Sequence, residues 1–116
     1  MKIILLSILT ALAPVALHAQ CAPPDGVIDI PDGASATLDQ MKAAQQAVKA
    51  FDAAVTAYTA CLKDEEAAKI KEGGDKKKIT AEYAQRSNAE VDRVQQVADK
   101  FNTELKAYKA KTAPAG

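Results

Sequence analysis

Two stretches of this chain repeat apolar residues at alternating steps of three and four, and they mirror each other across a pair of glycines. The first stretch contains Met41, Ala44, Val48, Phe51, Val55, Tyr58 and Leu62. The second contains Val91, Val94, Ala98, Phe101, Leu105 and Tyr108. This spacing is typical of helices that pack along one seam. When the chain folds back at Gly73-Gly74, the two seams meet residue by residue, with Tyr58 opposite Val91. The pattern predicts an all-α fold, an antiparallel and coiled-coil-like two-helix hairpin.

The ends of the two helices are marked by capping and turn residues. Thr37 and Gln40 have the spacing of a capping box, so helix 1 should begin near Thr37. It should end near Glu72, ahead of the glycines. Helix 2 should begin between Asp75 and Thr80 and end near residues 109–111, giving a hairpin over 37–111 and a flexible tail over 112–116. The tip, 65–84, is polar and should be its looser end.

The start of the chain reads as a secretory signal peptide over residues 1–19. Lys2 is followed by a short apolar run, and a small residue, Ala19, ends the segment. Export implies an oxidising compartment, in which paired cysteines form disulfides. The alternative is a lipoprotein anchored at Cys21, although His18 and Gln20 are not the residues which that attachment prefers.

The segment 20–36 is rich in proline and carries two Pro-Asp-Gly turns, so it should be an extended strap rather than a helix. Cys61 lies about 36 Å along helix 1, and the strap can reach back about 50 Å. We therefore predict a Cys21–Cys61 disulfide, with Ile28 and Ile30 covering the hairpin groove. Closing this loop contributes about 4 kcal/mol in the loop-entropy description. Two free thiols or an intermolecular bridge are the alternatives.

Several residues suggest chemistry, and each also has a plain structural explanation. The aspartates of the strap lack a calcium-loop pattern and fit turn formation. The tyrosines sit at seam positions, where they should be core residues with hydroxyls reaching water; Glu66 opposite Tyr83 is either a hydrogen-bonded pair or two exposed side chains. The run Lys76, Lys77 and Lys78 is a possible surface contact for anionic groups, or simply a solvated turn.

Composition excludes several classes of function. Acidic and basic residues balance at fifteen each, so there is no basic field for nucleic acid. The single histidine lies in the signal segment, which leaves no imidazole for catalysis or metal binding. We expect a protein that is not an enzyme and uses no cofactor or metal.

Three segments resemble a family of small exported proteobacterial helical proteins of unknown function: IPDGASA (30–36), FDAAVTAYTACL (51–62) and VADKFNTELKAYKAK (97–111). The resemblance implies a Gram-negative envelope location and supplies no activity or ligand. The first expectation is a structural or protein-interaction module, whose partner is an envelope protein or a second copy. The alternatives are a chaperone-like or stress-related binder, and a peripheral membrane- or wall-surface binder acting through the lysine-rich tip.

Overall fold

Two long helices dominate the computed structural model, which describes residues 20–114. Helix α1 spans Leu38–Lys71 and helix α2 spans Lys76–Thr112. They pack against each other as a hairpin, and no strand forms within residues 20–114. The all-α hairpin is therefore confirmed, whereas the signal segment 1–19 lies outside the described residues.

Side-chain caps fix where each helix begins. The Thr37 hydroxyl accepts from the N–H of Gln40 at 3.2 Å, and the Gln40 side chain accepts from the N–H of Thr37 at 2.8 Å. This is the predicted capping box. Gly73, at φ 95°, ends α1, and the Asp75 carboxylate starts α2 by accepting from the N–H of Lys78 at 3.0 Å. The turn is therefore at the predicted glycines.

The predicted seam of α1 forms the core of the hairpin. Six of its seven residues are buried, namely Met41, Ala44, Phe51, Val55, Tyr58 and Leu62. Val48 is half-buried and packs against the cluster that contains Phe101. Leu105 and Tyr108 pack against the same cluster, as the antiparallel register requires.

The seam of α2 departs from the prediction at one position. Val91 is 52 % exposed, and Glu90 is buried in its place, at 8 % exposure. A straight helix has 3.6 residues per turn, so a strict seven-residue pattern drifts by about 20° per repeat. The prediction extended the spacing of residues 94–108 back to Val91 without allowing for this drift. Val91 was therefore wrongly placed in the core.

The tip of the hairpin contains one fully buried tyrosine, although most of its residues are exposed. Tyr83 and Leu62 are the two largest side chains that are fully buried. The Tyr83 hydroxyl is buried as well and makes no hydrogen bond to the described residues, so it does not reach water as expected. Glu66 and Tyr83 are neither a hydrogen-bonded pair nor two exposed side chains. Glu66 is half-buried and makes no hydrogen bond to Tyr83.

The N-terminal strap forms a third element beside the two helices. Ile30 is buried and Ile28 packs against the same cluster, as predicted, whereas Val27 is 95 % exposed. Gly26 adopts φ 107°, which bends the strap at the first Pro-Asp-Gly turn. At the second turn, the Asp32 carbonyl accepts from the N–H of Ser35 and of Ala36, which directs the chain into α1.

Candidate functional site

The disulfide joins the start of the strap to the distal half of α1. Cys21 and Cys61 are bonded, with a Cα–Cα distance of 5.8 Å, and no other cysteine lies in the chain. The small side chains of Ala54 and Ala57 border the strap near this bond and leave room for it. The pairing is the predicted one, and it indicates an oxidising compartment.

The two arginines of the chain hold the strap through its backbone. Arg86 donates to the carbonyl oxygen of Cys21 at 3.1 Å. Arg93, one heptad further along α2, donates to the carbonyls of Gly26 at 2.9 Å and Pro24 at 3.4 Å. The planar guanidinium has several N–H groups in a fixed fork, so a single side chain can satisfy two carbonyls.

Arg93 is itself positioned by two further contacts. Its guanidinium lies over the Phe51 ring, 5.1 Å from the centroid, and pairs with the Glu90 carboxylate at 2.7 Å. The ring and the carboxylate fix the plane of the guanidinium, and its remaining N–H groups face the strap. The buried glutamate that replaces Val91 in the seam is therefore part of the strap contact.

The other end of the strap is held by Glu104 and Lys111. The Glu104 carboxylate accepts from the N–H of Gly33 at 2.8 Å, and Lys111 donates to the carbonyl of Ala36. At Gly33 the strap touches the backbone of α2 directly. A Cβ atom on Gly33 would overlap the Glu104 carbonyl oxygen and lie 2.9 Å from the N–H nitrogen of Tyr108.

Glu65 completes the contact near the disulfide. Its carboxylate accepts from the N–H of Cys21 at 3.4 Å. Burial by itself would raise the pKa of Glu65, but the nearby Tyr83 hydroxyl, the Cys21 N–H and the charges of Arg86 and Lys69 outweigh it. The pKa of this carboxyl therefore lies below its ordinary value, and Glu65 is ionised at neutral pH.

The strap-binding residues were not found from the sequence, although a signal was present. The basic residues of the chain are lysines except for Arg86 and Arg93, which are seven residues apart. Glu104 and Lys111 repeat the same interval. A stripe of charges at heptad spacing beside an apolar seam indicates a helix face that holds a further chain segment. The spacing of the apolar residues gives no sign of this face.

The opposite groove between the helices is open. Two shallow cavities lie along it, and no strap residue lines either one. The cavity towards the tip has a volume of about 270 Å³ and is bordered by Thr59 and Lys63 of α1 and by Ala84 and Ser87 of α2. The other cavity lies beside Leu38, which is 53 % exposed. The hairpin thus has one groove filled by its own strap and one that is uncovered.

The remaining residues singled out by sequence are dispersed. Lys76, Lys77 and Lys78 are exposed in the first turn of α2, at the tip of the hairpin. Asp32 serves the turn, since its carboxylate accepts from the N–H of Ala34 at 2.9 Å. Across the described part of the chain, no group of histidines, cysteines or acids could hold a metal ion.

Comparison of the chain with protein-family models, with curated proteins and with solved structures finds no match. Within residues 20–114, neither helix contains an apolar stretch long enough to cross a lipid bilayer.

Proposed function

We propose that this chain is a non-enzymatic protein of the cell envelope that acts as a structural or protein-interaction module. In this proposal, residues 1–19 are removed on export, and the protein works in the periplasm of a Gram-negative cell. The hairpin then acts as a short coiled coil that presents one face to other helices.

The observation that carries the proposal is the unequal use of the two grooves. The strap, the disulfide and the five charged side chains that contact the strap all lie on one side of the hairpin. The other side keeps an open groove lined by Ala84 and Ser87 of α2, and helical periodicity places the half-exposed Val91 on the same side of that helix. A helix that leaves an apolar side chain on an open groove is suited to helix-in-groove recognition by a partner protein.

Site-specific photocrosslinking in the exporting cell tests this function. A photoreactive residue replaces Val91, on the open-groove side of α2, and a control carries it at Asp64, on the outward side of α1. We expect protein adducts from position 91 that are reproduced when the identified partner carries the photoreactive residue. Absence of protein adducts from position 91, or equal adducts from both positions, would contradict the proposal.

The same experiment also tests the alternative function, a surface binder that acts through the lysine-rich tip. If the protein works as a surface binder, adducts to lipid or cell-wall material should form from positions near Lys77 and should disappear at high salt, because screened charges bind such surfaces weakly. Adducts of this kind, without any from position 91, would favour the surface binder.

A further inference from the structure

The open groove is bordered on α1 by a stripe of residues at alternating steps of three and four. It contains Lys49, Asp52, Thr56, Thr59, Lys63 and Glu66. Thr59, Lys63 and Glu66 line the cavity of the open groove directly. The other three lie on the same side of the helix one to three turns earlier, by helical periodicity. None of the four charged residues takes part in an ion pair within residues 20–114.

The order of charges along this stripe is self-complementary when the helix is reversed. If a second copy of α1 is laid antiparallel, Lys49 faces Glu66 of the second copy and Asp52 faces its Lys63. The two threonines face each other, and every charged pair is of opposite sign. All of these pairs are centred on one point of α1, between Ala57 and Tyr58.

The stripe of α2 beside the open groove has its own centre of symmetry. It contains Thr80, Ala84, Ser87, Val91, Gln95, Ala98 and Asn102, and none of these is charged. The first three line the cavity, and the other four lie on the same side of the helix by helical periodicity. Reversal about Val91 places alanine opposite alanine and polar residues opposite polar residues. The exposed Val91 then faces its own copy.

The two centres lie at the same height in the hairpin. Thr59 of α1 and Ser87 of α2 line one cavity, and Tyr58 and Val91 each lie about one turn or less further from the tip on their own helix. A single two-fold axis can therefore pass through the centres of both stripes. A two-fold interface requires this self-complementarity, because each contact must occur twice with the roles exchanged.

We propose that the occupant of the open groove is a second copy of this chain, which gives an antiparallel four-helix bundle with the straps on its outer sides. The proposal rests on the interaction function above and names its partner. Residues 45–70 extend for about 38 Å. Two helices side by side are about 20 Å wide, so each copy offers about 760 Å². This is the size of a standard stable interface, about 800 Å² per partner.

The test is the dimerisation constant of the oxidised full chain, measured by sedimentation equilibrium. We expect a reversible dimer that Lys63→Glu and Asp52→Lys each weaken by about tenfold, because each places like charges opposite one another twice. The double variant should restore binding to within about threefold. Asp64→Lys makes the same charge change on the outward side of α1 and should leave the constant unchanged.

Val91→Lys provides a second, independent variant. It brings two lysines together at the axis and should abolish the dimer, while the thermal unfolding of the dilute monomer stays the same, since Val91 is already half exposed. A chain that is monomeric at every concentration, or a dimer that none of these changes affects, would overturn the second copy as occupant. Reciprocal crosslinks from position 91 to a different protein would still leave the interaction function intact, so the two proposals fail separately.

Discussion

At the scale of single residues, arginine and lysine have different tasks in this protein. Both arginines donate to carbonyl oxygens of the strap, and Arg93 reaches two of them while it is paired with Glu90. Lysines serve mainly as exposed charges, as at Lys76, Lys77 and Lys78. A fork of fixed N–H groups suits backbone recognition, whereas an ammonium group is a mobile point charge.

Arg93→Lys should therefore destabilise the protein although the charge is kept. Lysine cannot satisfy the carbonyls of Pro24 and Gly26 together, and it lies less well over Phe51. We expect a loss of about 1–2 kcal/mol in the free energy of unfolding, measured by urea titration. Lys100→Ala, at an exposed neighbouring position, is the control and should change little. Equal stability of Arg93→Lys and the parent would show that the fork has no role.

Gly33→Ala tests the closest approach of the strap to α2. The added methyl group would overlap the Glu104 carbonyl, and backbone cannot move aside as a side chain can. We expect a loss of about 2 kcal/mol or more in the free energy of unfolding. Gly26→Ala is the matched comparison, because it meets no atom within 4 Å and should cost only about 1 kcal/mol of backbone strain at its positive φ. A milder effect at Gly33 than at Gly26 would contradict this contact.

Glu65 makes the stability of the folded protein depend on pH. Its pKa is lower in the folded protein than the ordinary value of 4.5, so the ionised carboxylate stabilises the fold above that pH. The contribution is lost as the pH falls through the folded pKa. Glu65→Gln should therefore be less stable than the parent at neutral pH, and the difference should vanish in acid. Thermal melts across this range measure it, and a difference that is constant with pH would rule out the linkage.

At the scale of elements, the strap is what makes a two-helix protein of this size stable. A hairpin alone buries one seam, whereas the strap adds Ile30 and Ala36 to the core beside Phe101. The disulfide then limits how far the strap can leave the groove. The helices supply the surface and the strap supplies the third layer, so the stability of each depends on the other.

Removal of the disulfide should therefore lower the melting temperature markedly. A loop of this length is worth about 4 kcal/mol, which is more than about 10 °C for a domain of this size. Cys21→Ser combined with Cys61→Ser avoids leaving a thiol, and circular dichroism records the melt. Amide exchange of the reduced protein should quicken first in the strap. An unchanged melting temperature would show that the strap contributes little.

Most of the elements could be predicted from the sequence, because each depends on a local signal. The capping box at Thr37, the glycine turn and the spacing of α1 are read directly from residue types. The seam of α2 near Val91 could not be, since the choice between adjacent positions depends on how far the helix has drifted over several turns. The backbone contacts of Arg86 and Glu104 were equally hidden, because they require knowing which side of the hairpin the strap covers.

At the scale of the whole molecule, the strap makes the two sides of the hairpin different. One side presents an extended segment held by charged residues, and the other presents the open groove, on whose side of α2 the half-exposed Val91 lies by helical periodicity. The sequence predicts a protein partner without indicating which side of the hairpin is free. Because the strap covers one side of the hairpin, the open groove is the face that remains for a partner.

The position of the disulfide also decides how the protein carries mechanical load. A pull applied at residue 20 and at the end of α2 passes from Cys21 through the sulfur atoms to Cys61, and the 40-residue loop between them bears no tension. That loop contains the strap and most of α1. Stretching the oxidised chain should therefore release about 140 Å less contour length than stretching the reduced chain, at roughly 3.5 Å per residue. The bond thus shields from force the same residues that it holds in place.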